Sequence, residues 1–380
     1  MKMTKTSLLV AAALALFAAP VLAGDLIQLK TGKWMPTAPA AGEQEEPSVE
    51  DLEASQYTVV EENYDVTFYK IEGVGQRQKY DTAKIRRVVY GEKPAAFLEA
   101  SDAMGSGHFG DAVAGFDALA KQKRNPHWVR QYSLYNIGRI YQEGAGDFQN
   151  AIAAWERYER DFPKGKFLPK VLVSKGLAWL ALGDEAKARS SFGKIERLKG
   201  LPEGAKMKGK YWMIKITQLK GEKSGNTALI NQALSQYKAL LEQVESKSEL
   251  QEVAILARLG IGDCLLLLEK YGEALDFFKK IAASSDEPDV LAGAYNGLGR
   301  CHYAKEEWGE ALLCFLRTVI LYDTNQEQTA MALYYAAKSY TMRQGDDWKN
   351  RARSLFRECI NRYPSTQWKR LSEEGILTVR

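Results

Sequence analysis

Histidine is scarce in this chain, with three in 380 residues, and cysteine nearly so, with four. Few histidines means little of the side chain most used for proton transfer near neutral pH and for holding transition metals. None of the three sits in a catalytic pattern. His108 falls in a turn between helices and His127 in the loop ahead of a helix. His302 follows Cys301. Neighbours on a helix point about 100° apart, so this pair cannot form the thiol–imidazole hydrogen bond that a nucleophile needs. Gly73-Val74-Gly75 is too short for a phosphate loop, and no zinc spacing or carboxylate pair stands out. The expectation is a protein that is not an enzyme and carries no cofactor or metal. Charge of one sign is not in surplus either. The formal charge is +4, and two of those charges are Lys2 and Lys5. A nearly neutral remainder offers nothing for a nucleic-acid partner. No apolar run reaches the roughly 20 residues that span a bilayer.

The longest apolar run, Leu8–Ala19, follows those two lysines and ends at Pro20. Val21-Leu22-Ala23 then offers a small-residue cleavage site before Gly24. Residues 1–23 read as an export signal, against the plainer reading of a buried N-terminal helix. No cysteine lies near the site, so a lipid anchor is not indicated. The expected location is periplasmic or secreted. An even number of cysteines in an exported chain invites disulfides. Cys264, Cys301, Cys314 and Cys359 all fall within helical patterns, however, and the first two hold the same place in successive repeats. Buried free thiols are the favoured reading, with Cys301–Cys314 the pair to test.

What the chain has in quantity is a recurring spacing. A small residue is followed twelve residues later by Ala and four further on by an aromatic: Gly299, Ala311, Phe315; Gly262, Ala274, Phe278; Gly176, Ala188, Phe192; Ala100, Ala112, Phe116. Gly138, Ala151 and Trp155 repeat it with one residue inserted. Small residues mark close helix crossings, and the aromatic, one turn after the Ala, fills the space between layers. The turns carry Gly and Asp, as in Gly144–Asp147 and Gly183–Asp184. A unit at 204–245 is weak: Ala233 and Tyr237 fit its second helix, its first has no clear marker, and Gly221–Asn226 reads as a longer loop. The last unit, with Ala337, Ala352 and Phe356, is spaced too widely. About seven units cover 93–364.

These residues resemble the tetratricopeptide repeat, most closely in Leu298-Gly299 … Trp308-Gly309-Glu310-Ala311 … Phe315 and in Ile137-Gly138 … Ala151 … Trp155 … Pro163. The resemblance implies a mainly α fold, a right-handed solenoid of helical hairpins whose first helices line a concave groove. It places Tyr132, Tyr135, Arg139 and Gln142 in that groove from one unit, Asn296, Arg300 and Tyr303 from another, and Tyr334 and Lys338 from the last. Their chemistry suits a peptide backbone or carboxylate; an ordinary solvated helix face is the competing reading of each residue. Leu259, Leu266 and Leu267 add an apolar segment. Asp161-Phe162-Pro163-Lys164-Gly165 and Arg362-Tyr363-Pro364-Ser365 resemble repeat ends of bacterial envelope proteins of this family, which act in outer-membrane protein assembly and in coordinating constriction. This chain departs from them in lacking an anchor cysteine and an N-terminal coiled coil.

Ahead of the repeats, 24–35 and 55–92 are rich in Val, Ile, Tyr and Thr in period-two stretches and read as a small β-domain. Four or five strands are expected, as a twisted sheet or SH3-like barrel, with the alternative that Asp25–Trp34 stays outside. Residues 36–54, acidic and rich in Pro and Ala, read as a disordered loop. Lys84, Arg86 and Arg87 read as a binding face or as the solvated side of an edge strand. Residues 365–380 read as a capping helix. The functional expectation is an exported scaffold for protein or extended peptide partners, in envelope assembly or organisation. The alternative is a polysaccharide- or peptidoglycan-binding accessory, for which Trp34, Trp128 and Trp368, outside the strict core positions, are the stacking candidates.

Overall fold

Fifteen helices follow six short strands in the computed structural model, which describes residues 25–31, 33–35, 51, 55–323, 325–364 and 366–379. The export signal expected at 1–23 and the disordered loop expected at 36–54, Asp51 apart, lie outside the described residues. The strands form two three-stranded antiparallel sheets, ordered β2-β1-β6 and β3-β4-β5. β1 (Leu26–Leu29), β2 (Trp34–Met35) and β6 (Ile85–Val89) make the first; β3 (Tyr57–Glu62), β4 (Val66–Ile71) and β5 (Gln78–Asp81) the second. The N-terminal strand therefore joins the sheet, by pairing Leu26 with Val89 and Ile27 with Val88. Six strands appear where four or five were expected. β2 is two residues long, and β5, Gln-Lys-Tyr-Asp, has no β-branched residue to announce it.

The helices pair in sequence: α1 (Ala95–Gly105) with α2 (Phe109–Lys121), α3 (His127–Arg139) with α4 (Phe148–Asp161), α5 (Leu168–Ala181) with α6 (Glu185–Arg197), and α7 (Glu203–Ser224) with α8 (Thr227–Val244). Then come α9 (Gln251–Leu267) with α10 (Tyr271–Ala283), α11 (Pro288–Ala304) with α12 (Trp308–Leu321), and α13 (Gln326–Arg343) with α14 (Trp348–Arg362); α15 (Gln367–Leu377) closes the array.

The recurring spacing has a direct cause. The small residue of the first helix lies under the aromatic ring of the second: a Cβ on Gly299 would come 2.6 Å from Phe315, and one on Gly262 2.5 Å from Phe278. Gly138 lies likewise under Trp155. The residue inserted in that unit is absorbed by a π-helical turn at Ile140–Gly144, which lengthens the first helix without moving Gly138 or Trp155 out of contact. In the turns, Gly183 takes φ +81° and the next residue, Asp184, caps the second helix by accepting the Lys187 amide at 3.0 Å. The loop expected at Gly221–Asn226 is shorter than read. α7 runs through Ser224, and only Gly225 and Asn226 turn the chain.

From α7 onward, first helices touch first helices of the next unit: α7 with α9, α9 with α11, α11 with α13, and α13 with α15. Successive second helices meet far less. The first helices are the tighter layer, so they form the inside of the curve. One apolar core runs without a break from Ile27, Val59 and Tyr90 of the β-element through Phe116 and Trp155 to Phe192 and Ile216. The β-element is thus packed on the repeats.

Candidate functional site

The inner face begins with α3. Tyr135 stacks on Phe167 with ring centres 4.3 Å apart, and Tyr132 meets the same ring edge-on at 4.6 Å. Arg139 reaches Glu143 one turn on, at 2.8 Å. Gln142 lies in the π-turn and accepts the indole N–H of Trp155 at 3.0 Å. These four residues are therefore largely occupied by their own unit and by Phe167 at the start of the next.

The middle of the face carries a charge ladder across three first helices. Lys215 of α7 and Arg300 of α11 both reach Asp263 of α9, at 3.1 and 2.9 Å. All three side chains are only about a fifth exposed, at 20%, 18% and 22%. Burial alone would raise the Asp263 carboxyl, but the two cations outweigh it and hold it below its usual range. Burial would likewise depress the Lys215 amine, and Asp263 reverses that. Arg300, read from sequence as a hand for a peptide, is held by Asp263. Lys215 and Asp263 were missed; the available signal was opposite charge on first helices of neighbouring units. Asn296 is buried, and its side-chain NH₂ donates to the Gln328 carbonyl at 2.9 Å and to Gln328 Oε1 at 2.8 Å. It fastens α11 to α13.

The far end is more open. Tyr303 lies edge-on to Trp308 and Tyr335, at 4.8 and 5.5 Å, and Tyr334 packs among Tyr335, Phe356 and Trp368. Lys338, one turn after Tyr334, is half-buried and has no ion pair among the described residues. Tyr303, Tyr334 and Lys338 keep a solvent-facing part without a polar partner of their own among the described residues, as Tyr135 does at the near end.

Profiles of the tetratricopeptide repeat match residues 132–165 and 331–366, and a second profile of that repeat matches 230–288. The chain carries tetratricopeptide repeats. No curated protein matches it. Among solved structures it is similar to a tetratricopeptide repeat protein from Parabacteroides merdae, at 17% identity over 75% of this chain and 97% of that one, TM-score 0.48. A second, from Thermus thermophilus, is 16% identical over 54% of this chain and 98% of its own, TM-score 0.41. A third, the apo quorum sensor NprR from B. thuringiensis, is 15% identical over 75% and 79%, TM-score 0.41. At such identities the likeness concerns the fold alone.

The β-element grips the loops between these repeats. Asn63 bridges to Gly165, the Tyr64 amide donates to the Lys164 carbonyl at 3.0 Å, and the Tyr64 hydroxyl donates to the Lys199 carbonyl at 3.1 Å. Beneath them Glu62, 1% exposed, takes the Lys166 ammonium at 2.6 Å and the Tyr90 hydroxyl, while Gln131 donates to its backbone carbonyl at 2.8 Å. Burial disfavours the Lys166 ammonium, but Glu62 and Tyr132 more than compensate and raise its pKa. Arg87 of β6 turns inward to Gln28 at 2.9 Å, whereas Lys84 and Arg86 stay exposed.

The tryptophans considered for sugar stacking are all buried: Trp34 at 7%, Trp128 at 5% and Trp368 at 9% exposure. Trp128 is stacked on Tyr90 at 4.0 Å, so it has no free face for a glycan. The four cysteines are free, three of them buried. Burial pushes the Cys301 thiol up to about 12, which keeps it protonated at neutral pH. His302 bonds to Glu307 at 2.5 Å, not to a thiol. No helix among the described residues is long and apolar enough to cross a membrane. The fold is that of an interaction scaffold, a class that generally lacks catalysis.

Proposed function

We propose that this protein is exported and serves in the cell envelope as a non-enzymatic scaffold, holding an extended segment of a partner protein along the inner face of α9, α11 and α13. The observation that carries the reading is the contrast along that face. The Lys215–Asp263–Arg300 ladder is satisfied internally, whereas Lys338 stands unpaired among the described residues one turn from the partly buried ring of Tyr334, and Tyr335 next to it carries Tyr303 of α11 against its ring. A cation beside flat aromatic surface suits a peptide carboxylate or backbone with an adjacent side chain. Export rests on the leader pattern of Lys2, Lys5, Leu8–Ala19 and Ala23. Replacing Tyr303 or Lys338 in the full chain by a photo-crosslinking residue, in envelope preparations, should capture one partner protein at both positions. A crosslinker at Lys238, on α8 of the outer layer, is the control. The same adducts at all three positions would defeat the inner-face reading. A mature N-terminus other than Gly24 would defeat the assigned cleavage.

A further inference from the structure

The outer surface carries two clefts, one on each side of α6. Because second helices touch one another so little, each gap between them is floored by the first helix beneath. The first cleft, about 310 Å³, lies between α4 and α6 over α5. Leu168, Leu172, Leu198 and Pro163 give it an apolar lining, and Lys194 and Arg197 stand at its edge. Its one acid, Glu159, is already shared by Lys175 and Lys194. Arg197 is exposed and has no ion pair among the described residues. The second cleft, about 290 Å³, lies between α6 and α8 over α7. Met213, Ile214 and Leu229 line it, with Arg189 and Lys220 beside them, and no carboxylate takes part. Among the described residues the Arg189 guanidinium donates only to the Thr217 hydroxyl, at 3.3 Å, and Lys220 has no ion pair.

We propose that this outer surface, spanning α4, α6 and α8, docks an acidic, extended segment of another protein, distinct from whatever occupies the inner face. Its bulky apolar residues enter the two clefts, and its carboxylates meet Arg197 on one side of α6 and Arg189 and Lys220 on the other. The charge argument selects the occupant. Both clefts combine apolar lining with a cation that no carboxylate among the described residues neutralises, so the complement is an apolar side chain flanked by acids. Geometry sets the register. The clefts are separated by one helix, about 10–12 Å across, and an extended chain rises about 3.3 Å per residue with alternate side chains on opposite faces, so apolar residues at i and i+4 reach both. A bare polyanion satisfies the cations and leaves the clefts empty.

The test is fluorescence anisotropy with the full chain. The probe is a labelled peptide of about a dozen residues, with Phe and Leu four apart and Asp or Glu between and around them. Two control peptides replace the acids by Asn and Gln, or Phe and Leu by Ala; a thymidine oligonucleotide is the polyanion control. Saturable binding is expected for the first peptide, weaker by about tenfold or more for each control and for the R189E/R197E/K220E chain, with weakening by salt. The milder R189Q/R197Q/K220Q chain should fall between, and K338E should bind normally, which separates this surface from the inner face. Absence of saturable binding would overturn the proposal. So would equal binding by the reversed chain, by the alanine peptide or by the oligonucleotide.

Discussion

A methyl group at Gly299 would sit 2.6 Å from the Phe315 ring, while one at Gly309, in the same unit, would meet nothing within 4 Å. Two chemically identical changes should therefore have opposite signs. Gly299→Ala is expected to cost about 2 kcal/mol, as the ring is forced from its place. Gly309→Ala should gain up to about 1 kcal/mol from helix propensity. Urea midpoints decide it, and equal midpoints would show that the ring yields freely. Asp25 makes a different kind of residue-scale statement. Its carboxylate accepts the Val59 amide at 2.7 Å and the Gly91 amide at 3.1 Å, yet burial pushes its pKa from 3.8 up to about 6 against those bonds. A folded-state value above the unfolded one favours the neutral acid. This group's contribution to stability is full below about pH 4 and is lost as pH rises through about 6. Asp25→Asn cannot ionise. Its stability relative to the natural chain should rise by roughly 2 kcal/mol between pH 4 and 7.5, whatever its offset. A difference flat in pH would mean that Asp25 titrates normally.

The β-element is held by one buried ion pair in a network of hydroxyls and amides. Lys166→Met leaves Glu62 buried beside Tyr90 without its cation, which should cost about 3–5 kcal/mol; adding Glu62→Gln should recover most of it. Proteolysis within 55–92 and the fluorescence of Trp128, which Tyr90 covers, report the release. A double variant as weak as the single one would show that the pair does not couple the two parts. The shift in composition near residue 92 made this region look like a separate domain. The contacts that join it to the repeats, Glu62 with Lys166 and Tyr64 with Lys199, link residues 104 and 135 apart in the chain. No local pattern encodes such a pairing, and β2 and β5 were hidden for the simpler reason that two and four residues, with one aromatic each and nothing β-branched, are too short to show an alternation.

Across the molecule, stability is expected to accumulate unit by unit, with exposed ends the weakest. The end here is covered by α15. Gly375 lies under Phe356, where a Cβ would come 2.6 Å from the ring, and Trp368 donates to Glu327 at 2.7 Å. A chain ending at Pro364 loses that cover from Phe356 and Cys359. The α13–α14 pair should then melt first, giving an early phase in urea that removes one unit's worth of helical signal while the rest unfolds at its former midpoint. A single transition at the original midpoint would mean that α15 adds no stability.

The helical pairs were legible in the chain because their cause is local. Gly, Ala and aromatic meet within one hairpin, and even the extra residue between Gly138 and Trp155 has a local answer in the π-turn. Gly221, Ala233 and Tyr237 keep the same spacing, but Gly221 packs on Ile230 near the end of α7, and Tyr237 instead lies over Gly260 of the next unit. Which inner-face side chains remain available was not legible. Arg300 and Lys338 look alike in sequence, yet one is held by Asp263 of the preceding unit and the other is left unpaired among the described residues. Asn296 looks like a groove amide and is used to join α11 to α13. A hairpin's packing depends on residues a few turns apart. The availability of a charge depends on what the neighbouring helix sets opposite it, and that follows only from how the units stack.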